Sequence, residues 1–108
     1  MTLAKIYTNR DHVIIDLDKI SSVRVYCTSD SQGFIKTIEV DIDGAHFIFR
    51  VDIDSHKYCL PIKQYSNKLK QLISDELFDL LTKKQTNINI YSVVMPVIYQ
   101  LREIDDNS

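Results

Sequence analysis

The chain has 108 residues, of which 44% are hydrophobic and 26% charged, and its formal net charge at pH 7 is −2. This composition is ordinary for a single globular domain, 1–108, and argues against a disordered or low-complexity protein. Because positive charge is not in excess, the chain lacks the bulk driving force for non-specific binding to nucleic acid.

Strands are predicted for the first half of the chain, about 2–53. Leu3–Tyr7 and His12–Leu17 are short, contain Ile and Val, and flank a four-residue polar turn that suits a hairpin. Ser22–Cys27 alternates between apolar and polar residues, so it predicts a third strand with one buried face.

The strongest local signal is a hairpin within Phe34–Ile53, because Asp43-Gly44 lies between two alternating runs. A two-residue turn pairs apolar residues on one face: Ile42 with Ala45, Val40 with Phe47 and Ile38 with Phe49. It pairs mostly polar residues on the other face: Asp41 with His46, Glu39 with Ile48 and Thr37 with Arg50. Ile35 and Ile48 are then apolar residues on the polar face.

One long amphipathic helix is predicted over 61–84, because apolar residues recur at helical spacing from Ile62 to Leu80. Pro61 suits the first helical position, and Ser66 is an alternative N-cap. The last segment, 87–104, is interpreted as one or two strands, with Pro96 at an edge or a bulge. Val97–Ile104 is compatible with either a strand or a short helix, and the strand is favoured.

These elements predict an α+β fold. An antiparallel, curved sheet of five to seven strands would pack against the helix. The order of elements is similar to that of pleckstrin-homology-like domains, in which a helix caps a curved sheet, and the similarity covers element order alone.

No catalytic or cofactor motif stands in the sequence. Three pairs of aspartates two residues apart suggest a Mg²⁺ site: Asp16/Asp18, Asp41/Asp43 and Asp52/Asp54. The hairpin register separates Asp41 from Asp52, and Asp is common beside turns, so solvated side chains are the simpler interpretation. His46 opposite Asp41 is interpreted as a cross-strand ion pair rather than an acid–base pair. We therefore predict no enzyme, no metal site and no cofactor.

The start of the chain lacks the features of a secretory signal, and the longest apolar stretch, Val93–Tyr99, is far shorter than the roughly 20 residues of a membrane helix. We expect a cytoplasmic protein without membrane contact. Cys27 and Cys59 are then expected to be reduced and packed. A disulfide between them is the alternative if the compartment is oxidising.

Charge is distributed unevenly: residues 1–56 carry 6 basic and 9 acidic side chains, whereas residues 57–84 carry 6 basic and 3 acidic. We predict a non-enzymatic protein-binding domain, most concretely an inhibitor of the immunity or antitoxin type. It would neutralise a basic toxin, such as a nuclease, through an acidic face. The predicted contact residues are Glu39, Asp41, Asp43, His46, Ile48, Arg50, Asp52 and Asp54.

The alternative is a regulatory or adaptor domain that binds a peptide or an anionic head group through the basic helix. The lysines of that surface are Lys63, Lys68, Lys70, Lys83 and Lys84. The oligomeric state is left open by the sequence, since an edge strand at Leu3 or near Pro96 offers a dimer contact.

Overall fold

A computed structural model describes residues 1–51 and 60–106 of the chain. The elements of this part, in chain order, are β1 (Leu3–Tyr7), β2 (His12–Asp16), a 3₁₀ turn (Leu17–Lys19), β3 (Val23–Ser29), β4 (Ile35–Ile42), β5 (Ala45–Arg50), α1 (Ile62–Thr82), β6 (Asn87–Asn89) and α2 (Ile90–Asp106). The predicted α+β class is confirmed.

The strands form two three-stranded sheets, with the orders β2-β1-β6 and β3-β4-β5. The prediction of a single curved sheet is wrong. Asp16 accepts a hydrogen bond from the N–H of Asp18 at 3.0 Å, which caps the 3₁₀ turn and ends β2 before the chain enters the second sheet. The second sheet is antiparallel throughout, but β6 lies parallel to β1, because the intervening chain serves as the long crossover that a parallel pair needs.

The hairpin register is confirmed on both faces of β4 and β5. Asp43 and Gly44 have φ angles of 50° and 90°, the positive values that a tight two-residue hairpin turn requires. The predicted exposure of Ile35 is wrong. Its N–H donates to the carbonyl of Leu60 at 2.9 Å, so the chain that leads into α1 covers this end of β4.

Helix α1 confirms the predicted helix within two residues at each end, and Pro61 precedes the first helical residue instead of occupying it. Its buried stripe is spaced by four residues: Tyr65, Leu69, Ile73 and Leu77. The helix packs against β3 and against α2.

The strand prediction for the C-terminal segment is correct only at Asn87–Asn89 and is wrong from Ile90 onward, where α2 begins. The buried residues of α2 follow helical spacing: Ile90, Val93, Val94, Val97, Ile98 and Leu101. Pro96 lies inside the helix, where its ring removes one backbone donor. Burial of this apolar stripe against β5, β6 and α1 outweighs the strand preference of its Val and Ile residues.

Buried residues of both sheets and both helices form one apolar cluster. Its fully buried members include Ile6 of β1, Ile38 of β4, Leu69 of α1 and Ile98 of α2. In the part of the chain that the structure describes, neither α1 nor α2 combines the length and the apolar character that a bilayer crossing demands.

Candidate functional site

The side chains of β3, β4 and β5 that point away from the core form a surface that we call the outer face. The strand registers arrange it in three rows: Arg24–Asp41–His46, Tyr26–Glu39–Ile48 and Thr28–Thr37–Arg50. Five of the eight predicted contact residues belong to these rows, because the confirmed hairpin register places alternate residues on one side of the sheet.

A chain of hydrogen bonds crosses all three strands of the outer face. The Thr28 hydroxyl bonds the hydroxyl of Thr37, which donates to Glu39 Oε2 at 3.1 Å. The other oxygen of Glu39, Oε1, accepts from His46 Nε2 at 2.8 Å. His46 Nδ1 lies 3.4 Å from the hydroxyl of Tyr26 on β3. The face is therefore held in one arrangement by its own side chains.

Charge on the outer face is concentrated on its central strand. The side chains of Glu39 and Asp41 are only 15% and 28% exposed, and Asp41 Oδ2 lies 3.8 Å from His46 Nδ1. Desolvation, followed by the charges of Glu39 and Asp41, raises the pKa of Tyr26. The phenol is thus a neutral hydrogen-bonding group at physiological pH.

Two arginines, Arg24 and Arg50, stand at opposite corners of the outer face. Within residues 1–51 and 60–106, neither forms a salt bridge with Glu39 or Asp41. The described part of the face therefore has a carboxylate centre and cationic corners.

Asp43 occupies a different position from the other predicted contact residues. Its carboxylate accepts the backbone N–H groups of Ser22 at 2.8 Å and of Ser21 at 3.1 Å. These hydrogen bonds, that of Ser22 first, lower the pKa of Asp43. The side chain therefore joins the hairpin turn to the segment before β3. Asp52 and Asp54 lie outside the described residues.

Tyr26 and Arg24 are members of the outer face that the sequence did not identify as contact residues. The alternation of Ser22–Cys27 showed that both side chains point away from the core, but no local signal indicated that this strand pairs with β4. Tyr26 is 39% exposed and Ile48 is 41% exposed, and both flank Glu39 in the middle row.

The β5 side of the outer face continues into a cleft of about 180 Å³, which we call the edge cleft. One wall consists of His46, Ile48 and Arg50, and the other is the turn 8–11 between β1 and β2. Tyr91 also lines the cleft, and its hydroxyl donates to Asn9 Oδ1 at 2.7 Å. An edge-to-face contact of 4.9 Å between the ring centroids of Tyr91 and Phe49 links the cleft to the core.

A larger groove, of about 540 Å³, lies between α1 and the start of β3. Its apolar lining includes Leu17, Ile20 and Phe78, and Phe78 is 72% exposed. None of the six predicted contact residues that the structure describes lies in this groove.

The other groups that the sequence suggested for chemistry do not assemble into a site in the described part of the chain. No three potential metal ligands among His, Cys, Asp and Glu come together in residues 1–51 and 60–106. Burial raises the pKa of the Cys27 thiol to about 11, so this side chain is a packed, neutral thiol. Cys59 lies outside the described residues.

No protein-family model, curated protein or solved structure matches this chain.

Proposed function

We propose that the chain is a non-enzymatic protein-binding domain that docks a basic protein on its outer face. The observation that carries this proposal is the middle row, in which exposed Tyr26 and Ile48 flank the carboxylate of Glu39. Tyr is enriched among the residues that dominate binding energies, and protein interfaces combine an apolar centre with a polar rim.

The charge arrangement of the outer face selects the kind of partner. Glu39 and Asp41 lie side by side on the central strand, where a Lys or Arg of the partner would meet two carboxylates. Arg24 and Arg50 at the corners would repel a uniformly basic surface and orient a partner that carries acidic residues beside its basic centre. Such complementarity contributes specificity and a faster association rate more than raw affinity.

In its most concrete form, the proposed domain is an inhibitor of the immunity or antitoxin type that blocks a basic toxin, such as a nuclease. The hydrogen-bonded chain from Thr28 to Tyr26 supports this form, because a preorganised surface loses little entropy on binding. The edge cleft offers a place for one protruding side chain of the toxin.

The alternative surface, the basic helix, is weakened by contacts within the chain. Lys83 pairs with Asp79 at 2.9 Å, and Lys84 pairs with Asp18 at 3.1 Å. Lys63 and Lys68 remain exposed on α1, so they serve to test the alternative.

The experiment compares three immobilised proteins in a lysate of the source cells. They are the wild type, an outer-face variant (Tyr26→Ala with Ile48→Ser) and a helix variant (Lys63→Glu with Lys68→Glu). We expect the wild type and the helix variant to retain the same basic protein in stoichiometric amount and to release it in a salt step. We expect the outer-face variant to retain none of this protein. Circular dichroism checks that each variant is folded.

Retention that survives in the outer-face variant and is lost in the helix variant would favour the alternative surface. The inhibitor form is tested next, by titrating the purified partner in an assay of its own activity. Loss of that activity at one equivalent supports inhibition, whereas full activity in the saturated complex would leave a binding domain without an inhibitory role.

A further inference from the structure

Strand β2 is the outermost strand of the β2-β1-β6 sheet, and the described structure shows which of its backbone groups are free. The N–H of Thr8 donates to the carbonyl of Asp11, and the N–H of Leu17 donates to the carbonyl of Thr2, both at 2.8 Å. Backbone groups in an antiparallel strand point alternately to the two sides. The odd-numbered residues of β2 therefore face β1, and the even-numbered residues face away from it.

The free edge consequently presents the N–H and C=O groups of His12, Ile14 and Asp16. The side chains of these residues lie on the solvent side of the sheet, opposite the partly buried Val13 and Ile15. Ile14 is 64% exposed, and an exposed apolar residue on an edge strand favours pairing with another chain. An open edge of this kind is a template for the addition of another strand.

We propose that the free edge binds a second copy of this chain, with the two β2 strands antiparallel about a two-fold axis at Ile14. Ile14 of one copy then lies opposite Ile14 of the other, and His12 lies opposite Asp16 at each end of the contact. Each of these three pairs uses outward-pointing backbone groups and exchanges two hydrogen bonds. This surface is separate from the outer face, so the inference does not depend on the proposed function.

The sequence of β2 is complementary to itself in only this register. A shift by two residues would place Ile14 opposite His12 or Asp16 and would remove one of the three hydrogen-bonded pairs. In the proposed register the exposed isoleucines cover each other, and a basic side chain faces an acidic one at both ends. A closed two-fold contact of this kind also ends the assembly at two copies.

The interface is small, since it consists of two five-residue strands and the side chains beside them. We therefore expect a reversible dimer of low affinity. Leu3, which is 50% exposed and lies opposite Asp16 on the same side of the sheet, enlarges the apolar area beside the contact.

The test is sedimentation equilibrium of the full chain at concentrations up to about 1 mM, a range that detects weak association. We expect a monomer–dimer equilibrium for the wild type and only monomer for Ile14→Lys, since a charge on an edge strand blocks pairing. Phe78→Lys is the matched control: it places the same charge on an exposed apolar residue of α1 and is expected to leave the dimer unchanged.

Two charge variants test the register. His12→Asp places two carboxylates opposite each other at both ends of the dimer, and Asp16→Lys places two basic groups there. We expect each variant alone to associate about tenfold more weakly than the wild type, because His12→Asp places like charges directly opposite each other and Asp16→Lys removes the acidic partner of His12. An equimolar mixture restores opposite charges in both pairs, so a heterodimer should form with near wild-type affinity. Asp16→Ala, which removes the acceptor for the N–H of Asp18 without adding a positive charge, controls for loss of the 3₁₀ cap.

A wild type that is monomeric over the whole range overturns the proposal, as does a dimer that survives Ile14→Lys. A dimer that is lost in Ile14→Lys but is not restored in the mixture overturns the two-fold register. Thermal unfolding of every variant, followed by circular dichroism, distinguishes loss of pairing from loss of folding.

Discussion

Thr37→Val is the substitution that most directly tests the hydrogen-bonded chain of the outer face. Thr37 is only 7% exposed, and its hydroxyl accepts from Thr28 and donates to the carboxylate of Glu39. A hydrogen bond to a charged group contributes about 1.5–3 kcal/mol, and a neutral one about 0.5–1.5 kcal/mol. Thr28 is exposed and Glu39 is partly exposed, so both regain some hydration. We expect a net loss of about 1–2 kcal/mol in the free energy of unfolding.

The assay is urea unfolding followed by circular dichroism, with thermal unfolding as a second measurement. A loss of 1 kcal/mol corresponds to a fall of about 4–8 °C in Tm for a domain near this size. The matched control is Thr28→Val, which makes the same chemical change at an exposed position and leaves the bond between Thr37 and Glu39 intact. We expect it to cost less than Thr37→Val, about 0.5 kcal/mol, because it removes only the neutral hydrogen bond and does so at an exposed position. If Thr37→Val costs no more than this control, the chain does not stabilise the face.

Three further outcomes are expected. Leu77→Ala should lower the free energy of unfolding by about 2–5 kcal/mol, because Leu77 is fully buried. The adjacent Phe78→Ala should change it by less than about 0.5 kcal/mol, and equal losses in urea unfolding would contradict the orientation of α1. Asp43→Ala should lower Tm at neutral pH more than Asp43→Asn, which tolerates positive φ. Because folding lowers the pKa of Asp43, its carboxylate stabilises the fold above the ordinary value of 3.8. The difference in Tm between wild type and Asp43→Ala should therefore shrink as the pH falls below that value, and a constant difference in pH-dependent melts would refute this account. In a Cys59→Ser background, alkylation of Cys27 should be slow near pH 8 and should accelerate as the pH approaches the thiol pKa of about 11. Rapid labelling near pH 8 would contradict its burial.

The hairpin of β4 and β5 could be predicted to the residue because its determinants are local. Asp43 and Gly44 accept the positive φ angles of the turn, and the alternation on either side admits only one register that buries the apolar face. Five contact residues of the candidate site followed from that register. Tyr26 did not, because the pairing of β3 with β4 joins segments with no shared turn signal.

The C-terminal segment shows the opposite case. Val93, Val94, Val97 and Ile98 favour a strand by local preference, and Pro96 disfavours the interior of a helix. The same residues form a helical stripe that is buried in the core. This burial outweighs both the strand preference of Val and Ile and the cost of Pro96 inside a helix. The local pattern of this segment was compatible with both structures, so only its packing against β5, β6 and α1 could decide between them.

Local patterns in the sequence were enough to predict the α+β class, the hairpin register, the long helix α1 and the side of the sheet on which Glu39, Asp41 and His46 lie. Each of these depends on turn residues or on a period of two or 3.6 residues, which are properties of neighbouring positions. Tertiary structure alone decided that the strands divide into two sheets, that β6 pairs parallel with β1, and that Tyr26 and Arg24 complete the outer face. Those outcomes depend on which distant segments bury each other's apolar surface, and no short-range pattern in the chain encodes that choice.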